Sequence, residues 1–299
     1  MTPMTSSSER PVFVIGSPRS GTTLLRLMLT CHRNLLIPPE CGFALWLEEQ
    51  YGDWKASDLN GRVEAFADDV VACKKFETWN LGPDEITSAI ASDQPADYSG
   101  LVASVYRAFA RRQKPGFQRW GDKNNYYLEH IPRLVALFPA ASFVHIVRDP
   151  RSVACSYLEL SRKAVDTAYA PRLPAEVGAI AASWKSDIAK IRAGFAELPE
   201  SQRCEVRFED VVSEPAATLA RLCDGIGEPY DPGMLDYHEI NRRTALEPKE
   251  FMGWKAKTLE PPQPDRVDRY LRDLEPEQIA TIEAAAREEL ETYGYPVTS

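Results

Sequence analysis

The stretch from Pro11 to Thr23 joins a short apolar run to a helical pattern through a loop that begins and ends in glycine. Pro11–Gly16 reads PVFVIG, the continuous apolar pattern of a strand buried on both faces of a parallel sheet. After Gly21, leucine and methionine recur at helical spacing, at positions 24, 25, 28 and 29. A buried strand followed at once by a helix restricts the chain to the α/β class of folds.

A second strand-to-helix unit lies near the middle of the chain. Ser142–Val147 reads SFVHIV, another buried-strand pattern, and a helix from about Arg151 to Ser161 is predicted to follow it. Asp149 as the N-cap and Pro150 at the first helical position form a typical helix start. Buried strands that alternate with amphipathic helices predict a parallel sheet covered by helices on both faces.

The remaining pattern fits a single α/β domain with a P-loop-like first crossover. Residues 1–10 are polar and are predicted to be a disordered lead-in, and residues 11–299 show no change of composition that would mark a second domain. Residues 51–112 are predicted to be mostly helical, with breaks at Gly82-Pro83 and Gln94-Pro95. Further predicted elements are a strand over 205–208 and helices over 175–195, 210–225 and 276–293.

Charge, cysteine usage and hydropathy exclude several classes of protein. The net charge of −9 argues against general binding of nucleic acids or anionic membranes. Six scattered cysteines without metal-ligand spacing predict reduced thiols, no metal site and a cytoplasmic location. No apolar run approaches the roughly 18–20 residues of a membrane span, and the polar start does not read as a signal peptide. The sequence predicts neither a membrane span nor an oligomeric state.

The glycine-bounded loop has the character of an anion site. Loop amides and a helix N-terminus direct partial positive charge to one point, and hydroxyl side chains add further donors. Gly16 and Gly21 lie at the two ends of the loop, as in nucleotide-binding loops, but Thr22 occupies the position where a nucleoside triphosphatase has its lysine. The cation is instead Arg19, inside the loop. This arrangement predicts a single phosphate beside a second charged group.

A second anion site is predicted after the middle strand. Arg148 lies at the carboxyl end of that strand, where ligands of open α/β sheets bind, and a helix begins directly after it. Ser156 follows about two turns into that helix and can donate its hydroxyl to the same anion.

Both segments resemble sites of the sulfotransferase superfamily, in the style of its bacterial and tyrosylprotein branches rather than the branch with a Lys-x-x-x-Thr loop. The resemblance implies transfer of a sulfuryl group from 3′-phosphoadenosine 5′-phosphosulfate (PAPS), without a metal, to a hydroxyl or amine of a small-molecule or peptide acceptor. It implies that Arg148 and Ser156 bind the 3′-phosphate of PAPS. The 5′-phosphosulfate would be bound by Pro18, Arg19, Ser20, Gly21, Thr22 and Thr23.

The resemblance also suggests the catalytic groups. In tyrosylprotein-type enzymes the general base is a glutamate 21 residues after the loop arginine, and Glu40 holds that position relative to Arg19. Two prolines precede Glu40 and fix its backbone. Lys123 matches a lysine of the family that contacts the transferring group, so Arg19 and Lys123 are the predicted catalytic cations. Asp122 is an alternative base.

Other candidates rest on weaker patterns. Histidine serves as the base in other branches, yet a lone histidine is usually structural, and this holds for His32, His130, His145 and His238. Residues 51–112 form the candidate acceptor-specificity region. Its aromatic side chains can either line an apolar cleft or form the core of that region; they are Trp46 just before it, Tyr51, Trp54, Phe66, Phe76 and Trp79.

The C-terminal third extends the resemblance. Arg269 aligns with a basic contact to the PAPS nucleotide, while Phe208 replaces the usual tyrosine of the family. Two alternatives stay open. A P-loop kinase would have a lysine at position 22 and a carboxylate for magnesium. A non-catalytic nucleotide-binding protein would be expected to lack Arg19, Glu40 or Lys123.

Overall fold

Parallel strands form a sheet in the order β2-β3-β1-β4-β5. The computed structural model describes residues 10–163 and 169–298, so the predicted lead-in, apart from Arg10, lies outside the described residues. The described strands are β1 (Val12–Ile15), β2 (Leu35–Leu36), β3 (Arg119–Lys123), β4 (Ser142–Val147) and β5 (Arg203–Arg207). The described part of the chain forms a single α/β domain, as predicted.

Helices and short 3₁₀ turns connect the strands and cover both faces of the sheet. The helices are α1 (Thr22–Cys31), α2 (Phe43–Trp46), α3 (Glu48–Tyr51), α4 (Val63–Ala72), α5 (Pro83–Asp93), α6 (Tyr98–Gln113), α7 (Ile131–Leu137), α8 (Pro150–Ser161), α9 (Val177–Ala196), α10 (Phe208–Ser213), α11 (Pro215–Gly225), α12 (Tyr237–Thr244), α13 (Met252–Lys255), α14 (Tyr270–Asp273) and α15 (Pro276–Thr292).

The first strand lies in the centre of the sheet. It pairs with β3 on one side, where Val12 lies opposite Gly121. On the other side it pairs with β4, where Val12 lies opposite Ser142. Val12 and Val14 pack into the core under α1 and α11, whereas Phe13 and Ile15 face the core formed by α4 to α7. Because successive side chains of a strand point to opposite faces, this continuous apolar run fills two cores at once.

The predicted strands and helices agree with the structure except near residue 210. The predicted helix over 210–225 is wrong as one element, because α10 and α11 are separated at Glu214, whose backbone leaves the helical region (φ −132°, ψ 57°). Pro215 follows, and a proline disfavours the helical conformation of the residue before it. Phe208, predicted as the last strand residue, instead begins α10.

The sequence did not reveal β3, because this strand is polar and yet fully buried. Each of its charges has a partner. The guanidinium of Arg119 donates to the carbonyl of Ile226 (2.7 Å) and to the Ser142 hydroxyl (2.8 Å). Asp122 accepts from two tyrosine hydroxyls, and Lys123 contacts Glu40. Buried charges are tolerated when they are paired in this way. Because the strand is polar and the partners lie far away in the sequence, no apolar pattern marks β3.

The region 51–112 is helical with breaks where they were predicted, between α4 and α5 and between α5 and α6. Tyr51, Trp54, Phe66, Phe76 and Trp79 are all buried in its core, and Trp46, just before it, is 40% exposed. The five buried side chains therefore form the core of this region rather than a cleft, whereas Trp46 is not part of that core. In the described part of the chain, no helix is both long enough and apolar enough to cross a bilayer.

Candidate active site

The loop between β1 and α1 is shaped by its two glycines. A Cβ atom on Gly16 would lie 2.6 Å from the carbonyl oxygen of Ile146, so only glycine lets β1 and β4 approach there. Gly21 has a φ of +97°, and its Cβ position is blocked by the Phe208 ring. Arg19 also has a positive φ, of 68°. This backbone leaves the first amides of α1, at the end of the loop, without partners inside the helix.

The two predicted phosphate sites adjoin each other. Arg19 Nε donates to Ser156 Oγ (3.0 Å), which joins the loop to α8. Arg148 Nη1 donates to the carbonyl oxygen of Arg19 (3.1 Å). The loop arginine, the arginine at the end of β4 and the α8 serine, which the sequence placed in two separate sites, thus form one continuous cationic surface.

The start of α8 is built as its sequence predicts. Pro150 is its first residue, and Asp149 caps it by accepting from the Arg151 amide (2.8 Å). Arg151 is fully buried and also binds Asp149 and Glu283 through its guanidinium. The helix that carries Ser156 is therefore fixed relative to β4, so Arg148 and Ser156 keep their spacing.

Two buried polar atoms of this surface have no partner within the described residues: Ser20 Oγ and Arg148 Nε. Arg148 also lies over the Phe208 ring, 4.0 Å from its centroid. Burial lowers the pKa of Arg148 to about 10, so the guanidinium keeps its charge at neutral pH. Buried donors without partners are rare in folded proteins. Arg148 lines the cavity described below, so its guanidinium can donate to an anionic ligand there, whereas Ser20 does not line that cavity.

Glu40 lies between β2 and α2, and each of its carboxylate oxygens has its own ammonium partner. Lys123 of β3 contacts Oε1, and Lys75, which follows α4, donates to Oε2 (2.8 Å). Burial alone would raise the pKa of Glu40, but the charges of Lys123, Lys255 and Lys75 outweigh it and hold that pKa well below its ordinary value. Glu40 is therefore an anion at neutral pH.

Asp122, the first alternative base, is less accessible than Glu40. Asp122 has no exposed surface; it accepts from the hydroxyls of Tyr106 and Tyr127 (both 2.5 Å) and from the Lys123 amide. His32 and His145 are fully buried as well. Among the described residues, neither Asp122 nor any histidine lines the cavity discussed next.

The phosphate loop and Glu40 open into one cavity of about 400 Å³. This volume lies within the range of small-molecule sites, about 300–1,000 Å³. One wall carries the predicted site residues except Ser20, which does not line the cavity, and Arg269, which lies on the opposite wall. Lys75 is the lining residue that comes from the region 51–112. The opposite wall is a C-terminal cap, which we define as residues 237–269; its lining residues include Tyr237, Phe251, Trp254, Lys255, Lys257, Arg266 and Arg269.

Buried ion pairs hold the cap against the phosphate-loop helix. Glu247 of the cap accepts from Arg26 of α1 and from Lys255, both at 2.5 Å. Trp254 accepts from Arg19 through its carbonyl oxygen (3.1 Å). Because Arg26 and Glu247 are both 1% exposed, this contact is well protected from solvent. The cap is thus anchored to the same helix that presents the anion site.

Arg269, predicted to contact the PAPS nucleotide, reaches the cavity wall together with Lys257 and Arg266. Its guanidinium donates to Glu159 of α8 (3.0 Å) and to Asp273 (2.8 Å). Lys257 also donates to Glu159 (3.1 Å). The carboxylate of Glu159 therefore gathers cap cations beside the Ser156 end of the cavity.

Sequence reasoning missed several lining residues of the cap and of the α4 end. Lys75, Lys255 and Lys257 belong to no recognisable motif, and each is more than 30 residues from the catalytic residue predicted nearest to it in the sequence. Phe251 and Trp254 lie in a segment of short turns without a clear period. Only the resemblance near Arg269 indicated that this part of the chain reaches the site. No grouping of His, Cys, Asp and Glu suited to a metal ion occurs in residues 10–163 and 169–298.

Comparison with known proteins identifies the family of the chain. A model of the sulfotransferase family matches residues 11–232. Omega-hydroxy-beta-dihydromenaquinone-9 sulfotransferase Stf3 of Mycobacterium tuberculosis is 26% identical over 272 residues, covering 77% of this chain and 67% of Stf3. Protein-tyrosine sulfotransferase A of Caenorhabditis elegans is 22% identical over 230 residues, covering 77% of this chain and 53% of that protein.

The fold agrees with these matches. The sulfotransferase domain of the Synechococcus PCC 7002 olefin synthase superposes with a TM-score of 0.63 at 21% identity, covering 97% of each chain. The family model spans the phosphate loop, Glu40, Lys123 and the Arg148 segment, and stops just before the C-terminal cap. The resemblance drawn from the sequence is thereby confirmed: the chain belongs to the sulfotransferase family, and it is a sulfotransferase enzyme.

Proposed function

We propose that the enzyme transfers a sulfuryl group from PAPS to a hydroxyl or amine of a small-molecule or peptide acceptor, with Glu40 as the general base. The observation that carries this proposal is the continuous cationic surface around Arg19, Ser156 and Arg148, in which Arg148 Nε is buried and has no partner among the described residues. A nucleoside that carries phosphates on both its 3′ and 5′ oxygens needs two adjoining anion sites, because one ribose holds both groups. An ordinary nucleotide would leave the Arg148 end unfilled.

The residues assigned to PAPS belong to two ends of the cavity. The loop residues Pro18 to Thr23 would hold the 5′-phosphosulfate, and Arg148 with Ser156 would hold the 3′-phosphate, with Arg269 nearby on the cap. PAPS supplies an activated sulfuryl group, and the sulfur–oxygen bond to its phosphate breaks as the bond to the acceptor oxygen or nitrogen forms. Arg19 and Lys123 supply positive charge for the leaving phosphate and the transferring group.

Glu40 is the carboxylate placed to take the acceptor proton. It lies in the cavity wall, while Asp122 lies behind it without exposed surface. Its neighbours keep it ionised, which is the form that a base needs. When the acceptor proton passes to Glu40, the carboxylate becomes neutral, and the nearby lysines lose an attractive partner at the same time as the leaving phosphate gains charge. Lys123, which contacts Oε1 in the structure, would turn to the transferring group when the donor binds, so that Oε1 can accept the proton.

The acceptor wall is apolar and aromatic with cations at its edge. Phe251 and Trp254 pack at 5.6 Å between ring centroids, and Lys255 lies over the Phe251 ring at 4.7 Å. Stf3 and the tyrosine sulfotransferase are named for a quinone derivative and for protein tyrosine, both of which carry an aromatic or apolar body next to the hydroxyl. An acceptor of this general kind, a small molecule or a peptide side chain, fits the wall.

The discriminating experiment is a titration with adenosine 3′,5′-bisphosphate, AMP, and ATP with magnesium. We expect the bisphosphate to bind more tightly than AMP, and Arg148→Ala to remove most of that preference. Hydrogen bonds to charged groups contribute about 1.5–3 kcal/mol, so bisphosphate affinity should fall about 10- to 150-fold.

Arg162→Ala is the matched control, because Arg162 follows α8 and is exposed. It should leave both affinities unchanged. Equal binding of AMP and the bisphosphate by the wild-type enzyme would contradict the assignment of Arg148. Preference for ATP with magnesium over the bisphosphate would instead favour the kinase alternative.

Activity should survive chelation of divalent metals. Arg19, Lys123 and the loop amides place positive charge where a kinase uses magnesium. The check is the initial rate of sulfuryl transfer after dialysis against EDTA, compared with the same enzyme after magnesium is added back. We expect rates that agree within about twofold, a margin small against the 10²-fold or larger effects of removing catalytic charge. A large rescue by magnesium would overturn the proposed role of these cations.

A further inference from the structure

Lys75 is a second cation on the proposed base, and no motif pointed to it. It lies in the turn after α4, and its Nζ donates to Glu40 Oε2 at 2.8 Å. The other oxygen of Glu40 is contacted by Lys123, whose side chain is 1% exposed. Lys75 is more open to solvent, at 24% side-chain exposure. The two lysines thus approach the carboxylate from different sides, one from the buried sheet and one from the rim of the cavity.

The backbone of Lys75 adopts a conformation that favours glycine. Its φ is +73°, in the left-handed region, which costs a residue with a Cβ about 1 kcal/mol or more and costs glycine nothing. The turn holds this conformation firmly: the Lys75 carbonyl accepts from the Thr78 hydroxyl (2.7 Å), and the Phe76 ring beside it is 1% exposed. Strained backbone of this kind concentrates at functional sites. A glycine would satisfy the turn but would leave Oε2 of Glu40 without its ammonium.

The cations around Glu40 have different roles. Lys123 projects from β3, Lys255 from α13, Lys75 from the turn after α4, and Arg19 from the phosphate loop. Lys255 is already paired with Glu247 at 2.5 Å, and in the proposed function Lys123 and Arg19 act on the transferring group. Lys75 is the partner left to hold Glu40 when Lys123 turns away.

We propose that Lys75 is a positioning residue for the base: its ammonium holds Oε2 of Glu40, which leaves Oε1 free to accept the acceptor proton once Lys123 binds the transferring sulfuryl group. This inference rests on the proposed function of Glu40. Its consequence is that Glu40 stays ionised and oriented in the ternary complex, when its other neighbour is engaged elsewhere. The ion pair lies at the cavity rim, so it is made without occupying the donor site.

The test compares Lys75→Met, Lys75→Gly and Lys75→Arg with the matched control Lys74→Met. Lys74 is the adjacent lysine and is exposed. The first measurement is turnover against pH at saturating donor and acceptor. The second is the titration of the Glu40 carboxyl carbon by NMR in the presence of adenosine 3′,5′-bisphosphate. An opposite charge within about 4–6 Å shifts a carboxyl pKa by about 1–3 units, so loss of the ammonium should have a visible effect.

We expect the acid limb of the turnover profile, and the NMR titration, to move to higher pH by about one unit or more in Lys75→Met and Lys75→Gly. Lys75→Arg and Lys74→Met should stay with the wild type. Bisphosphate affinity should remain within about twofold of the wild type in all four variants, because the residues assigned to the donor are unchanged. A shift of one pKa unit is a tenfold change in the proton-binding equilibrium, so it is easily distinguished from a change of this size. Lys75→Gly relieves the backbone strain, so its unfolding temperature should be no lower than that of the wild type, which separates the loss of the ammonium from a loss of folding.

Two outcomes overturn the inference in distinguishable ways. If Lys75→Gly and Lys75→Met keep the wild-type acid limb and carboxyl titration, Lys75 does not hold the base, even if turnover falls evenly at every pH. Glu40→Gln, measured alongside, reports on the proposed function itself. If Glu40→Gln keeps its turnover, the base assignment fails; if it loses turnover while the Lys75 profiles stay unchanged, only the role of Lys75 fails.

Discussion

Turnover of Glu40→Gln should fall by about 10²- to 10⁴-fold, the usual contribution of general base catalysis. The substitution keeps the size of the side chain but removes the proton acceptor. It also removes an anion that faces Lys123 and Lys75, both of which now contact its oxygens. Adenosine 3′,5′-bisphosphate affinity should hardly change, since the bisphosphate is assigned to the loop and to Arg148. Single-turnover rates and a bisphosphate titration check the two halves of this expectation.

The pH dependence of the same variant gives an independent check. The pKa of Glu40 lies well below its ordinary value, so the wild-type enzyme should keep its rate at neutral and mildly acidic pH. The rate should fall only when the pH drops to the pKa of Glu40, because protonation there removes the base. This acid limb should vanish in Glu40→Gln. The control is Glu49→Gln, an exposed glutamate of α3, which should keep both rate and profile.

A Glu40→Gln enzyme that kept most of its turnover with intact bisphosphate binding would remove Glu40 from the mechanism. The sulfotransferase assignment would stand, because it rests on the family match and on the phosphate sites. Asp122 is a poor substitute, since it is fully buried, already accepts from two tyrosine hydroxyls and does not line the cavity. A different base would then have to reach the acceptor.

The second large effect concerns stability. Arg151→Met should lower the free energy of unfolding by about 3–5 kcal/mol, the usual cost of removing one partner from a buried ion pair. The guanidinium is fully buried, lies over the Tyr270 ring at 4.1 Å and donates to Asp149 (2.7 Å) and Glu283 (2.6 Å). It also donates to the carbonyl oxygen of Pro296 (2.8 Å). Removing it leaves two carboxylates in the core without their cation.

Equilibrium denaturation by urea measures this effect, with Arg287→Met as the matched control. Arg287 of α15 is more than half exposed, and its pairing with Glu291 at 3.8 Å should contribute at most about 1 kcal/mol. Equal unfolding midpoints for the two variants would show that Arg151 is not a main anchor of the C-terminal helix. Because Asp149 also caps α8, weaker bisphosphate binding should accompany the loss of stability.

Features that are encoded by neighbouring residues could be predicted from the sequence. The phosphate loop, Arg148 and the start of α8 are set by residues within a few positions of one another, so their pattern predicts both the structure and the anion sites. The position of Glu40 followed from the family resemblance, and the structure places it against Lys123. The assignments of individual catalytic roles stay predictions until they are measured.

The remaining features depend on contacts between distant parts of the chain. Strand β3 carries buried charges whose partners lie elsewhere in the sequence, so no apolar period marks it. Lys75, 35 residues after Glu40, reaches it from the turn after α4. The C-terminal cap consists of short helices and turns held by the ion pair between Arg26 and Glu247, which are more than 200 residues apart in the chain. Such long-range ion pairs leave no local signal.

The central place of β1 has a consequence for how the protein is made. This strand is synthesised before both of its hydrogen-bonding neighbours, β3 and β4. Synthesis proceeds at about 5–20 residues per second, so the roughly 130 residues between β1 and β4 take on the order of 10 s to appear. Until β3 and β4 have been synthesised, the nascent chain exposes an apolar strand without its partners, together with an unformed phosphate loop. Unpaired apolar strands are prone to aggregation, so the chain is most vulnerable before its phosphate loop forms.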